Sequence, residues 1–339
     1  MQYFIILFWL VVSVSAQADG RTDLIRSVVD QHILPGVAHL TVSSADLANA
    51  AQNSCDPHDP ALRRAYGGAF DAWIAVSHLS FGPFETDNRG FALAFWPDTR
   101  SKTPKALSTL IRNVDPVAFD PVAYRDVSVA ARGFYALEFL MYDSGFSGAA
   151  PEPYRCQLLR MITADLSATS AAILTDWQQL YRPLMLSAGA ADNSSYQTAD
   201  EAVQELFKAL MTGLQFTTQA RLGRPMGTFE RPRARRAEAR RSGRSLRHVQ
   251  LSIAALDDLA DLLAKQTPIL GKTLSKRFQR AANLARDLDD PVFANVALPQ
   301  GRIRVEVLQQ SIEIIALLCR EELGPALGVV TGFNAMDGD

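Results

Sequence analysis

Apolar residues recur along most of this chain at intervals of three and four. In ALRRAYGGAFDAWIAVSHLSF, Leu62, Tyr66, Ala69, Phe70, Trp73, Ile74 and Ser77 form one stripe, as an amphipathic helix requires. TADEAVQELFKALMTGLQF places Val203, Leu206, Phe207, Leu210, Met211 and Leu214 on one face, with Thr198 and Glu201 spaced as a capping box. TPKALSTLIRN opens with Thr103 as the expected N-cap and Pro104 at the first helical position. The same pattern returns in SLRHVQLSIAALDDLADLLAK and IRVEVLQQSIEIIALLCREEL. No segment carries a sustained alternating strand pattern, so the predicted fold is all-α.

The spacing predicts long helices over 22–53, 59–80, 126–143 and 152–185, with a short one after Thr103. Further helices are expected over 199–222, 244–266, 269–289 and 302–323. Pro35 should kink or split the first of them. Between the two sets lies LSAGAADNSSYQT, Leu186 to Thr198, a small, polar, turn-rich boundary. Four long helices on each side predict two packed four-helix bundles, over residues 19–190 and 191–339.

Composition narrows the class. The chain has 339 residues, 48% hydrophobic and 21% charged, with a formal net charge of −2. That balance suits a globular protein with two cores and gives no general attraction to nucleic acid. Residues 1–18 stand apart: QYFIILFWLVVSVS is continuously apolar and leads to Ala16-x-Ala18 and the polar DGRTD. The run is too short for a comfortable membrane span and reads as a cleaved signal peptide, which predicts an exported, periplasmic protein. No transmembrane segment is expected after cleavage. Export permits a disulfide. Cys55 just before one helical stretch and Cys156 just inside another are the expected pair, and Cys319, within an apolar run, is expected as a buried thiol.

Two polar features call for chemistry. GFYALEFL, Gly133 to Leu140, turns Tyr135 and Glu138 the same way on a helix. Glu138 lies in an apolar run, where a carboxylate must be paired or protonated. RPMGTFERPRARRAEARRSGRSLRH gathers arginines between two helices. It is either a solvated basic connection or a segment whose Arg244, Ser245 and His248 turn inward to meet an anion or buried acid. Arg244 or Arg241 is the expected partner of Glu138, with Tyr135 donating to that carboxylate or to a ligand. Gly133 would allow another backbone or a ligand to approach closely. A structural ion pair fixing how the bundles dock remains the competing reading. In the Phe81 to Arg100 loop, Asp98 of FWPD is expected to cap a backbone amide, and Arg89 and Glu85 to pin the loop.

GFYALEFL resembles the Gly-x-His-x-x-Glu motif of the imelysin family. ERPRARRAEARRSGRSLRHV is similar to that family's second signature, a Glu followed by a short Ser-containing turn that starts a helix. FGPFE, FWPD and the terminal GFNAMDGD resemble the imelysin-like branch of predicted periplasmic proteins. The resemblance implies two four-helix bundles with a site between them, built here from Gly133, Tyr135, Glu138, Arg241, Arg244 and Ser245. It also implies either a metallopeptidase or a module working with periplasmic or membrane components of an iron-uptake system. Position 135 departs from the motif by carrying Tyr instead of His. A neutral phenol is a poor zinc ligand, although a phenolate suits ferric iron. Tyr135 and Glu138 are the sole metal candidates, because His32, His39, His58, His78 and His248 are scattered along the chain. Iron or another transition metal therefore stays open as cofactor, while the substitution argues against an intact zinc site and a peptidase. Three readings stand: a periplasmic binding or accessory protein connected with iron acquisition, a metal-dependent peptidase, and an interaction scaffold.

Overall fold

The computed structural model describes residues 20–146 and 153–329. The expected signal peptide and the terminal GFNAMDGD lie outside the described residues. Among the described residues every regular element is helical, and no strand occurs.

The first helix, α1, runs over residues 20–53. Pro35 does not split it. Val29–Ile33 form a π-helical turn immediately before Leu34–Asn53, and the wider turn absorbs the missing N–H without ending the helix. Helix α2 (Pro60–Val76) begins on Asp59, whose carboxylate accepts from the N–H groups of Ala61 and Leu62. Helix α3 covers Lys102–Asn113. Its cap corrects the expectation for Thr103: Asp98 reaches forward to accept from the backbone N–H groups of Lys102 and Thr103. Asp98 thus does cap backbone amides, and Arg89 pins the same loop through Asp176 at 2.5 Å.

Helix α4 (Gly133–Tyr142) starts seven residues later than the pattern predicts for 126–143, because the preceding stretch is spent in 3₁₀ turns. Gly133 sets the start. Its φ is +75°, and a Cβ there would lie 2.1 Å from the carbonyl oxygen of Leu93, so only glycine fits. The close approach is that of the Ala92–Leu93 backbone. Helix α5 (Pro153–Asp176) continues through a π-helical turn, Trp177–Tyr181, into Arg182–Leu186. With that continuation it is, among the described residues, the one helix long and apolar enough to cross a membrane. Its buried Leu158, Ile162, Leu166 and Ile173 are taken up against α1 and α4. Cys55 and Cys156 are joined in a disulfide that ties the end of α1 to the start of α5, and Cys319 is a buried free thiol.

Helix α6 (Ala199–Gln215) begins on Thr198, as expected: Glu201 N–H donates to its hydroxyl, while the Glu201 carboxylate, instead of closing the box on Thr198, accepts from Gln197 N–H at 2.7 Å, one residue before the cap. It continues through Phe216–Leu222 to Met226. Helices α7 (Ser245–Leu263), α8 (Pro268–Asp287) and α9 (Pro299–Leu318) follow, the last continuing through a π-helical turn, Cys319–Leu323, to Ala326. Helices α1, α2, α4 and α5 pack on one another, as do α6 to α9, and α2 meets α7 across the seam. The fold is all-α, built of two four-helix sets, and the functional question lies where α4 faces the Arg-rich connection between α6 and α7.

Candidate functional site

The connection from Gly227 to Arg244 folds back over α4. Gly227 (φ +55°), Ala239 (φ +45°) and Gly243 (φ +73°) make the left-handed turns that reverse its direction. Arg302 holds its beginning by donating to the carbonyls of Met226 and Thr228. Ser245, at the first position of α7, donates to the Glu238 carbonyl at 2.5 Å and holds its end. Between these anchors the segment delivers one acid to the interior and most of its arginines to a cleft.

The interior acid is Glu238, whose side chain is 3% exposed. Its Oε1 accepts from the Tyr135 hydroxyl at 2.6 Å, and its Oε2 from Arg221 Nε at 2.8 Å. Arg221, 4% exposed at the end of α6, also donates to Ser77 Oγ at 3.1 Å. His248 is fully buried, with Nδ1 3.1 Å from Glu238 Oε2 but neither ring nitrogen in hydrogen-bonding geometry. Phe70 of α2 meets the rings of both His248 and Tyr135 edge-on. Burial would raise the Glu238 carboxyl, but Arg221, with His248 and Tyr135, overcomes it and holds the group down at about 2. The network joins α2, α4, α6 and α7 through one carboxylate.

Burial, and then the neighbouring Glu238 charge, push the Tyr135 hydroxyl well above its ordinary range. Tyr135 is therefore a phenol with its proton committed to Glu238. This corrects the expectation that it donates to Glu138. Glu138 has a different partner again. Its Oε1 accepts from the backbone N–H of Ser242 at 2.9 Å and from the Ser242 hydroxyl at 2.8 Å. Neither Arg241 nor Arg244 bonds to it: Arg241 pairs with Asp143 at 2.6 Å and lies over the Phe139 ring, while Arg244 pairs with Asp71 and donates to Gly67 O. Both arginines stay at the half-exposed seam because the αL turns at Ala239 and Gly243 present Ser242 to α4 instead. Burial raises the Glu138 carboxyl, against the lowering effect of Ser242 and Arg241.

This donor set does not fit a resident metal. Tyr135 and Glu138 are committed to different partners, and no group of three His, Cys, Asp or Glu side chains converges among the described residues. Two histidines that looked scattered do meet. His32 of α1 and His78 beyond α2 bring their Nε2 atoms to 2.9 Å, which requires one to donate and the other to accept. Burial holds His32 down at about 4, and His78 well below its usual range.

Above α4 the same segment roofs a cleft of about 490 Å³. It is lined by Trp96, Tyr135, Glu138 and Phe139 and by Arg224, Arg235, Arg236, Arg240 and Arg241. Trp96 stacks along Tyr135 with centroids 6.3 Å apart, and Arg224 lies over the Trp96 ring at 5.5 Å. The cleft thus joins the two stretches that resembled the family signatures. Of the expected site residues, Tyr135, Glu138 and Arg241 line it. Gly133, Arg244 and Ser245 support its walls from outside.

The Imelysin family model matches residues 33–316. The chain belongs to the imelysin family. Iron-regulated protein A of Synechococcus elongatus is 26% identical over 322 residues, covering 88% of this imelysin and 85% of the relative. Among solved structures, an imelysin-like protein from Psychrobacter arcticum 273-4 superposes with a TM-score of 0.78 at 18% identity, over 93% of this chain and 98% of that one. A candidate iron-regulated protein A precursor from Parabacteroides distasonis ATCC 8503 gives 0.74 at 12% identity, over 92% and 95%. Both structures share the fold.

Sequence reasoning missed Glu238 and Arg221 as a pair. Glu238 looked like one more solvated charge among arginines. The available signal was its place in the second signature, which the resemblance describes as a Glu before a Ser-containing turn. Arg221 had a weaker signal, a cation seven residues past Leu214, the last residue of an apolar helical stripe.

Proposed function

We propose that this imelysin is an exported binding or accessory protein that works in iron handling, with its ligand held in the cleft between α4 and the Arg-rich segment. The observation that carries the reading is that cleft. About 490 Å³ is ligand-sized, and it is formed where the two stretches resembling the family signatures meet. The iron connection rests on the relatives named iron-regulated protein A, one of them a precursor. Export rests on that name together with the apolar N-terminal run and Ala16-x-Ala18. Periplasmic or membrane components of an iron-uptake system are the partners this role calls for.

A metal-dependent peptidase is the weaker reading on chemical grounds. Tyr135 holds a proton against Glu238 where the motif would supply an imidazole, so a hydrolytic metal would lack its strongest ligand. The test is thermal denaturation of the purified protein with ferric, ferrous, cupric and zinc ions and with a panel of small organic and inorganic anions. A ligand that binds the folded state alone raises Tm. Stabilisation that disappears when Ala237 at the cleft wall is replaced by Trp supports the reading. Stabilisation by none of the panel, or hydrolysis of a peptide library abolished by chelators, overturns it.

A further inference from the structure

Five guanidinium groups line the cleft, against the carboxyls of Asp98 and Glu138. Asp98 is occupied in capping α3, and Glu138 in accepting from Ser242. Of the five arginines, Arg241 alone has a carboxylate partner, Asp143. Among the described residues, Arg224, Arg235, Arg236 and Arg240 make no ion pair within the protein. Arg224 Nε is buried with no hydrogen-bond partner. Four cations held side by side repel one another, and a buried guanidinium N–H left unpaired carries a desolvation cost. Arg224 shows it: burial, and then Arg236, lower its proton affinity. Arg240 is lowered by burial and then by Arg241, against a smaller raising effect of Glu138 and Asp143. The fold therefore maintains a cationic arrangement in which, among the described residues, only Arg241 is paired with an acid.

Resting on the cleft reading above, we infer that the cleft binds a small organic polycarboxylate, either free or as its iron chelate, through Arg224 and Arg240 with Arg235 and Arg236 at the rim. Planar guanidinium groups match carboxylates with paired hydrogen bonds, and several of them favour an anion with more than one acid group. The other lining decides between an organic and an inorganic anion. Phe95, Trp96, Pro104 and Phe139 offer apolar surface in the same cleft, which a carbon skeleton covers and a single phosphate leaves wet. The volume also exceeds what one tetrahedral anion fills. A polycarboxylate chelates ferric iron as well, which gives the cleft a use in iron handling without any iron ligand from the protein.

The experiment is calorimetric titration and thermal shift of the purified protein with citrate and tricarballylate, each with and without ferric iron. Ferric iron alone, inorganic phosphate, pyrophosphate and uncharged trimethyl citrate are the comparisons. Arg224→Gln, Arg240→Gln and, as control, Arg277→Gln on the exposed face of α8 are run beside the wild type. The tricarboxylates are expected to raise Tm and to bind more weakly as salt rises. Each cleft variant is expected to lose at least about tenfold in affinity. Neither should melt below the wild type without ligand, because each removes from a crowded cationic cluster one cation that forms no ion pair; Arg277→Gln should bind normally. Binding of free citrate identifies the acid as the ligand, and binding that needs added iron identifies the chelate; either supports the proposal. Phosphate or pyrophosphate binding as tightly as citrate overturns the organic class but leaves the cleft a ligand site, as does binding of ferric iron alone. Citrate binding unchanged in both variants places it elsewhere and overturns the proposal. No response to any probe overturns it together with the cleft reading.

Discussion

Replacing Glu238 with Gln separates architecture from binding. The substitution keeps the shape and one acceptor for Tyr135, but leaves Arg221 without its carboxylate at 4% exposure. Removing one partner of a buried pair costs about 3–5 kcal/mol, because the other charge stays buried and uncompensated. An independent route gives a similar figure. The Glu238 carboxyl lies at about 2 in place of its ordinary 4.5, a difference worth about 3 kcal/mol of native-state stability. For a chain of 339 residues, unfolding entropy of about 2 cal/mol/K per residue turns each kcal/mol into about 1.5 °C. Glu238→Gln should therefore lower Tm by about 5–7 °C at neutral pH, followed by far-UV circular dichroism. The sign of the pH effect follows from the depressed value. The contribution is complete above the unfolded-state value near 4.5 and is lost as pH falls toward 2. The gap between wild type and variant should shrink accordingly when the medium is taken from about pH 7 to about pH 3.5. Tyr135→Phe, which removes one hydrogen bond and no charge, should cost less. A variant melting within about 1.5 °C of the wild type at neutral pH, or a gap that does not narrow in acid, would refute the reasoning.

Glu138 behaves differently. Glu138→Ala strands the Ser242 N–H and should cost about 1–3 kcal/mol, whereas Glu138→Gln keeps the acceptor, discards a charge that burial penalises, and should melt at or above the wild type by scanning calorimetry; a large loss in the Gln variant would show that the ionised form is needed. Gly133→Ala drives a Cβ into the Leu93 carbonyl oxygen at 2.1 Å and a φ of +75°, so it should cost more than about 4 kcal/mol, read as loss of folded yield. Reducing Cys55–Cys156, which closes a loop with a sequence separation of 101, should lower stability by about 2–4 kcal/mol. Alkylation of the denatured, unreduced chain should label Cys319 alone, as intact mass will show.

How far the sequence carried follows from what each kind of signal encodes. The helical stripes are read from residues a turn apart, so α2, α6 and α7 were legible, and the N-cap at Thr198 with them. Where a start depends on a contact from far along the chain, the local pattern misleads. The start of α4 is set by the Leu93 backbone against Gly133, and α3 is capped by Asp98 across an intervening turn. The apolar run around Glu138 correctly said that its carboxylate needed a partner and could not say which. Arg240, Arg241, Ser242 and Arg244 lie within five residues, and reversing the chain at Ala239 and Gly243 decides which of them faces α4.

The same reversal accounts for the division of labour in the Arg-rich segment. Glu238 turns inward and its neutralised pair with Arg221 costs the interior little net charge, while Arg235, Arg236 and Arg240, three to two residues away on the same segment, are carried to the cleft. If the arginines served only to pin the connection, their partners should be acids on α4 or α2, as Asp143 is for Arg241 and Asp71 for Arg244. Arg224 and Arg240 form no such pair, although Glu138 and Asp143 act on Arg240 from a distance, and both arginines are half-buried and so have given up hydration that a partner would have to restore. Anchoring is already supplied by the Glu238 network, by Ser242 on Glu138 and by Arg302 on the Met226 and Thr228 carbonyls. With the connection fixed by those contacts, the unpaired arginines add repulsion to the free protein and gain a carboxylate partner when an anion enters. Their effect on stability should accordingly change sign between the free and the ligand-bound protein, a behaviour that structural ion pairs do not show.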